Sequence, residues 1–266
     1  MLGVALLAAA CGTGPGTESE PVVTSQIVSH ETTQDILVFA PESAEALPVV
    51  WMMHGVGGSG GDMAQLATEL AGEGFVVFAP TFRTDLSSQQ GSLDAVTDAE
   101  CGYRFARSVA ADYGGDLDRP MTFVGWSLGA SFALQGGLTE QIDPSGEFLV
   151  CFDEVPRADV IFAISGCHYE FEGAQFDFDP SGWGNQNAKI VLLAGADDAI
   201  CPAWQSEDAA TALTDAGFDV DIVLLDGADH FAPIFQRLEN DELVAAPKHP
   251  AGQQTLDAIL RVISAG

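Results

Sequence analysis

Ser127 stands between Gly125 and Gly129 in the stretch TFVGWSLGASFAL. The apolar residues before it predict a strand, and the small and apolar residues after it predict a buried helix. A residue held in a strained conformation at such a strand–helix corner needs neighbours without a Cβ atom. The corner would direct the Ser127 hydroxyl into a cleft, where a hydroxyl can act as a nucleophile. The alternative is an ordinary serine that caps a helix after a glycine turn.

The corner resembles the nucleophile elbow of the α/β-hydrolases, in which the histidine base follows the serine and the acid along the chain. Of the five histidines, only His230 and His249 come after the other predicted elements. His249 precedes Pro250 at the start of the last predicted helix, which indicates a cap region. His230 lies in LLDGADHFAP, just past a predicted strand. A loop at the end of that strand suits a general base, so we predict His230.

The acid is expected at the end of the preceding strand, in VLLAGADDAICP. This stretch offers Asp197 and Asp198, and we favour Asp198. Asp197 is the alternative, although an aspartate there can also form a turn. Asp229, next to His230, is expected to face solvent or to belong to the turn. The acid would hold one tautomer of His230 and stabilise its imidazolium form.

A glycine-rich loop, His54-Gly55-Val56-Gly57-Gly58, follows another buried strand. Glycines allow backbone N–H groups to face a small cavity. A tetrahedral intermediate needs two such donors, which we assign to Val56 and Leu128, with Gly57 as the alternative to Val56. His54 is expected to brace the loop and not to act as the base. A phosphate cradle is disfavoured because no Lys-Ser/Thr pair follows the glycines.

Strands and helices alternate along the chain. Most predicted strands are near-continuous apolar runs, as in a parallel sheet that is buried on both faces. The pattern predicts an α/β fold, with a doubly wound, mostly parallel sheet and helices on both faces. Sites in such sheets form at the carboxyl ends of strands, where Ser127 lies. The predicted strands are 35–40, 48–54, 74–80, 121–126, 158–165, 189–195 and 220–226, and the predicted helices are 60–72, 93–112, 127–138, 203–216 and 250–263.

The chain of 266 residues is strongly acidic, with 39 Asp and Glu against nine Lys and Arg and a net charge of −30. This charge argues against nucleic acid or an anionic membrane surface as a partner. The acidic residues are spread along the chain, as on a solvated surface, and do not indicate a metal site. Because salt screens repulsion between like charges, the composition suggests adaptation to a salty medium.

The N-terminus resembles a bacterial lipoprotein signal, in which an apolar run ends in small residues directly before a cysteine. Here the run Val4–Ala10 precedes Cys11, although no Lys or Arg precedes the run. We therefore predict a signal over residues 1–11 with lipidation of Cys11, a flexible tether over 12–30 and a catalytic domain over 31–266. The protein would be exported, and either lipid-anchored to the bacterial cell surface or secreted. A cytoplasmic chain is the remaining alternative.

Four further cysteines are present: Cys101, Cys151, Cys167 and Cys201. An even number in an exported chain suggests disulfides. Cys167 and Cys201 each follow a predicted strand at its carboxyl end and could be neighbours, which leaves Cys101 with Cys151. Four free buried thiols are the alternative. The spacing is not that of a zinc site, and no metal is expected.

Taken together, the motifs GWSLG, GADDAICP and DGADHFAP resemble those of the α/β-hydrolase superfamily over about residues 31–266. The likeness is to dienelactone-hydrolase-like carboxylesterases, including bacterial cutinases and polyester hydrolases. It implies a Ser–His–Asp hydrolase without a cofactor. Two features depart from cutinases: Val56 replaces an aromatic residue, and the segment 139–188 is longer and could form a small cap. Trp126 and Trp183 are candidate substrate contacts, although the aromatic residues Phe176, Phe178 and Trp183 could equally pack locally.

The sequence thus predicts a serine carboxylesterase that hydrolyses short-chain esters through Ser127, His230 and Asp198. Its partner would be a small ester substrate, and it would contact a membrane only through a lipid anchor at Cys11. A cutinase-like polyester hydrolase is the first alternative. A non-catalytic surface lipoprotein that keeps the fold as a binding module is the second.

Overall fold

A computed structural model describes residues 23–28, 35–42, 45–139, 157–240 and 242–264. Within these residues the chain forms five α-helices and twelve strands, joined by short 3-10 turns. The helices are α1 (Ala64–Gly72), α2 (Gln89–Val109), α3 (Leu128–Leu138), α4 (Ala203–Asp215) and α5 (Pro250–Ile263). The strands are β1 (Val23–Val28), β2 (Ile36–Pro41), β3 (Val49–Met53), β4 (Val76–Pro80), β5 (Thr122–Trp126), β6 (Val160–Ile164), β7 (Glu170–Phe171), β8 (Ala174–Gln175), β9 (Lys189–Gly195), β10 (Asp219–Leu225), β11 (Gln236–Glu239) and β12 (Glu242–Ala245).

Eight strands form one sheet in the order β1-β2-β4-β3-β5-β6-β9-β10. β2 runs antiparallel to β1 and to β4. All other neighbouring strands in this sheet are parallel. The seven predicted strands and the five predicted helices are therefore present, with the ends of two helices continued as 3-10 turns at Gly60–Met63 and Ala110–Tyr113.

β1 was not predicted, and it lies within the segment that was expected to be a tether. Val23–Val28 pairs along its whole length with β2, so the sheet begins inside the segment 12–30. β2 would otherwise leave a row of backbone N–H and C=O groups open at the sheet edge. The β-branched residues of Val23–Val28 suit that pairing. The signal segment 1–11, Cys11 and the first part of the tether lie outside the described residues.

Helices cover both faces of the sheet, which explains the near-continuous apolar strands. In β3, Val49, Trp51 and Met53 face one hydrophobic cluster, and Val50 and Met52 face the other. Successive side chains of a strand point to opposite faces, so a strand that is covered on both sides needs apolar residues throughout. Helices α2, α3 and α4 contribute to the first cluster, and α1 and α5 contribute to the second.

β10 differs from the prediction of a strand that is buried throughout. It is the last strand of the sheet, and its side chains Ile222 and Leu224 are exposed. The carboxyl ends of the parallel strands β5, β6, β9 and β10 all lie at the same end of the sheet. The loops that carry Ser127, Cys167, Asp198 and His230 leave the sheet at this end.

The segment predicted as a possible cap is described in part. Residues 140–156 lie outside the described residues, whereas 166–188 form the β7–β8 hairpin and a 3-10 turn at Pro180–Gly182. The aromatic residues Tyr169, Phe178 and Trp183 of this part pack against the cluster formed with α2, α3 and α4. None of the helices in the described part of the chain has the length and apolar character needed to cross a bilayer.

Candidate active site

Ser127 forms a sharp corner between β5 and α3. Its φ of 57° and ψ of −122° lie in a region that residues with side chains rarely adopt. A Cβ on Gly125 would overlap the carbonyl group of Gly129, and one on Gly129 would overlap the carbonyl groups of Met53 and His54. The two glycines therefore allow α3 to start close against β3 and β5. This packing holds Ser127 in its strained conformation.

Asp198 and His230 form a buried pair at the neighbouring strand ends. The distance from Asp198 Oδ2 to His230 Nδ1 is 2.8 Å. Asp198 Oδ1 accepts the backbone N–H groups of Ile200 and Cys201, each at 2.8 Å. Three donors around one carboxylate compensate for its removal from water. A carboxylate in this place accepts the Nδ1 proton of the ring and leaves Nε2 to accept a proton from a neighbouring group.

The alternative acids and bases have other roles in the structure. Asp197 is exposed. The Asp229 carboxylate accepts the backbone N–H groups of Phe231 and Ala232 and so stabilises the turn after His230. The His249 side chain caps the N-terminus of α5. Among the described residues, no group of three or more His, Cys, Asp or Glu side chains is arranged as metal ligands.

Trp126 connects the serine corner to the histidine loop. Its indole Nε1 donates to the backbone carbonyl of His230 at 2.8 Å, and the two ring centroids are 5.2 Å apart. A Cβ on Gly55 would lie 2.9 Å from Ser127 Cβ and 2.9 Å from the Trp126 ring. The serine, the histidine and the glycine-rich loop therefore converge on this one indole. The sequence pointed to Trp126 as a wall of the pocket, but not to its hydrogen bond with the histidine loop.

The backbone N–H groups of Val56 and Leu128 are available as donors. Leu128 is the first residue of α3, where N–H groups have no partner in a preceding turn. The N–H group of Gly57 donates instead to Thr84 Oγ1 at 2.8 Å. In the described part of the chain, neither the N–H group of Val56 nor that of Leu128 has an acceptor. Of the two predicted candidates in the loop, Val56 is thus the one whose N–H is not already used.

The buried His54 ring stabilises the glycine-rich loop through hydrogen bonds. Its Nδ1 lies 2.7 Å from the carbonyl oxygen of Gly55, and its Nε2 accepts the backbone N–H of Phe82 at 3.1 Å. The proton is therefore on Nδ1, since Nε2 is the acceptor. Burial lowers the pKa of His54, which keeps the ring neutral. Because Gly55 C=O and Val56 N–H share one peptide unit, the bond to His54 orients the Val56 donor away from the core.

Two buried polar residues near the site were not found from the sequence. The Gln205 side chain on α4 accepts the backbone N–H groups of Tyr169 and Glu170 and donates to the Glu170 carbonyl. His168 is fully buried, and burial lowers its pKa to about 4. His168 lies in the loop after β6, and Gln205 is hydrogen-bonded to the same loop. Sequence patterns did not reveal these two residues, because a polar residue has the same local sequence signature whether it is buried or exposed.

Cys167 and Cys201 are joined by a disulfide, with 4.8 Å between their Cα atoms. Cys101 is also disulfide-bonded, while Cys151 lies outside the described residues. The cysteines at the carboxyl ends of β6 and β9 are thus neighbours because those strands pair in the sheet.

Trp183 packs edge-on against Phe178, with ring centroids 5.4 Å apart, and both residues join the adjacent core. This is the local packing that the sequence left open as an alternative. Phe176 is exposed on the β7–β8 side. A contact between Trp183 and substrate stays a prediction.

No family model and no curated protein matches the chain. Solved structures are similar. A truncated carbohydrate esterase from gut microbiota has a TM-score of 0.67 and 16% identity, with 94% of this chain and 98% of that chain covered. Esterase 2 of Thermogutta terrifontis has a TM-score of 0.66 and 18% identity, with 93% and 96% covered. Esterase B of Lactobacillus rhamnosis has a TM-score of 0.71 and 15% identity, with 91% and 85% covered. These likenesses confirm the predicted α/β-hydrolase fold.

Proposed function

We propose that the protein is a serine carboxylesterase that hydrolyses short-chain carboxylic esters. One observation carries the proposal: the strained Ser127 follows β5, and at the same carboxyl end of the sheet His230 is hydrogen-bonded through Nδ1 to the buried Asp198. A fold needs neither the strained serine nor the buried Asp198–His230 hydrogen bond for stability, and both have a direct use in acyl transfer. The esterases among the similar structures also support this reading.

In the proposed reaction, Ser127 Oγ attacks the ester carbonyl carbon and its proton passes to His230 Nε2. Asp198 holds the ring with its proton on Nδ1 and stabilises the imidazolium. The N–H groups of Val56 and Leu128 bind the oxyanion of the tetrahedral intermediate. His230 then donates the proton to the leaving alcohol, and an acyl-enzyme forms. A water molecule, deprotonated by His230, attacks this acyl-enzyme and releases the acid.

We propose short acyl chains for the substrate on the basis of the similar structures. Structures of the Thermogutta terrifontis esterase contain propionate and butyrate. The net charge of −30 would also disfavour anionic esters. We therefore expect kcat/KM to be highest for acetyl to butyryl esters and to fall beyond about eight carbons, since a deep tunnel would be needed to gain about 0.8 kcal/mol per further methylene.

A fluorophosphonate probe tests the serine mechanism directly. We expect one covalent label per chain, located at Ser127 by peptide mass analysis and absent in Ser127→Ala. Ser165→Ala is the matched control, because Ser165 also lies at a strand end with a positive φ of 48° and is buried. A label that persists in Ser127→Ala contradicts Ser127 as the nucleophile. A wild type that is not labelled contradicts the proposal and favours a binding module. p-Nitrophenyl esters of increasing chain length and a polyester film then distinguish an esterase from a polyester hydrolase.

Export is proposed as well, with Cys11 as the lipid anchor. Cys11 lies outside the described residues, and the proposal rests on the sequence pattern and on the disulfide between Cys167 and Cys201. In a bacterial host, the wild type would partition with membranes and Cys11→Ser would be released. A wild type that stays in the soluble cytoplasmic fraction would contradict this proposal.

A further inference from the structure

The disulfide connects two loops that leave the sheet at the edge of the site. Cys167 follows β6, and Cys201 follows β9 in the same loop as Asp198. Both cysteines are buried. β6 and β9 are neighbours in the sheet, so the disulfide bridges adjacent loops and spans no distant parts of the fold.

The backbone of Cys201 is bonded directly to the predicted acid. Its N–H donates to Asp198 Oδ1 at 2.8 Å, and the second oxygen of the same carboxylate lies 2.8 Å from His230 Nδ1. In the loop 196–201, only Asp198 and Cys201 are buried, and the other residues are exposed. Besides the acid itself, Cys201 is therefore the residue that attaches this loop to the protein interior, and the disulfide connects it to Cys167.

The other end of the disulfide is held independently. The loop after β6 is fixed by the Gln205 side chain, which accepts the N–H groups of Tyr169 at 2.8 Å and of Glu170 at 3.0 Å. The N–H of Ser165 donates to Leu193 O at 2.7 Å. Cys167 thus belongs to a loop that has its own hydrogen bonds. The Asp198 loop has backbone bonds at its start, where Ala196 N–H donates to Leu225 O and Asp197 N–H donates to Ala228 O, each at 3.0 Å. Loss of the disulfide would therefore release mainly the end of this loop, which carries Cys201.

We propose that Cys167 and Cys201 are positioning residues whose disulfide holds the Cys201 N–H against Asp198, and that turnover depends on this disulfide being oxidised. The inference rests on the proposed function. It acts through Asp198, since neither sulfur touches the reacting atoms. Reduction by a dithiol breaks the S–S bond, and two electrons and two protons pass to the two thiols while the dithiol becomes a cyclic disulfide.

The double variant Cys167→Ser/Cys201→Ser tests this inference, and Cys101→Ser/Cys151→Ser is its matched control. Hydrogen bonds to charged groups are strong, so we expect kcat for p-nitrophenyl butyrate to fall about 10- to 100-fold and KM to change less than about threefold. The control should keep the wild-type kcat. Cys167→Ala is a second variant, which removes the disulfide without changing residue 201. It should show the same loss of kcat if the double variant fails to fold.

A second readout separates positioning from general stability. The low-field proton resonance of the His230 Nδ1–H bonded to Asp198 should shift or broaden in both variants that lack the Cys167–Cys201 disulfide, and it should stay unchanged in the control. Variants of residue 167 or 201 that keep kcat within about threefold of the wild type, with an unchanged resonance, overturn the inference. A wild type without esterase activity would instead overturn the proposed function, while the resonance would still report on the position of Asp198.

Discussion

Replacement of Asp198 by asparagine tests the assignment of the acid through hydrogen-bond geometry. A carboxylate has two acceptor oxygens, whereas an amide has one oxygen acceptor and one NH₂ donor. In the structure, Oδ1 of Asp198 accepts two backbone N–H groups and Oδ2 accepts one imidazole N–H. The amide oxygen of Asn would therefore take the place of Oδ1, and its NH₂ would face His230 Nδ1. Nδ1 must then be an acceptor and Nε2 carries the proton, so the ring cannot deprotonate Ser127.

The opposite amide orientation would set the NH₂ group against the N–H groups of Ile200 and Cys201. Leaving the buried N–H of Cys201 and the partly buried N–H of Ile200 unsatisfied costs about 1–3 kcal/mol each, so the active tautomer would be populated at roughly a few per cent or less. The variant also lacks the charge that stabilises the imidazolium. We therefore expect kcat to fall on the order of 10³–10⁴-fold with little change in KM.

Steady-state hydrolysis of p-nitrophenyl butyrate measures this loss, with circular dichroism and Tm as checks of folding. Asp197→Asn is the matched control, because Asp197 is the exposed neighbour, whereas the carboxylate bonded to His230 Nδ1 is that of Asp198. It should stay within about twofold of the wild type. An Asp198→Asn enzyme that keeps more than about a tenth of the wild-type kcat would refute the reasoning, as would an equal loss in the control.

Further predictions concern the corner, the charge and a buried histidine. In Gly55→Ala the new Cβ would lie 2.9 Å from Ser127 Cβ, so we expect kcat to fall at least about tenfold. The control is Gly136→Ala, whose Cβ has its nearest neighbour at 3.9 Å and which should not reduce kcat. Equal kcat in both variants would contradict the steric argument. Tm should rise as NaCl is raised from about 50 mM to about 2 M, because salt screens repulsion in a chain of net charge −30, and a flat or falling Tm would count against it. Burial lowers the pKa of His168 from 6.5 to about 4, so the unfolded chain binds a proton first as the pH falls and stability is lost between these values. Between about pH 7 and pH 4, the free energy of unfolding measured by chemical denaturation should fall by about 3 kcal/mol less in His168→Leu than in the wild type. An equal fall in both proteins would contradict this.

Local patterns in the sequence were sufficient for most of the fold. The near-continuous apolar runs predicted the strands from 35–40 to 189–195, because a strand covered on both faces needs apolar residues throughout. Within the described part of the eight-stranded sheet, the strands at its two ends depart from this pattern. β1 carries polar residues within the expected tether, and β10 leaves Ile222 and Leu224 exposed. Edge strands have one open side, so their sequences are less constrained.

The sequence by itself also determined the order and the types of the candidate residues. Ser127 could be identified because its glycines are only two residues away, and the steric need that they meet is local. Only the tertiary structure decided that Trp126 Nε1 reaches His230 O, 104 residues further along the chain, and that the Cys201 N–H donates to Asp198 Oδ1. These contacts follow from the order in which β5, β6, β9 and β10 lie side by side, with their carboxyl ends at one edge. Strand order depends on how all elements pack together, and no short stretch of residues encodes it.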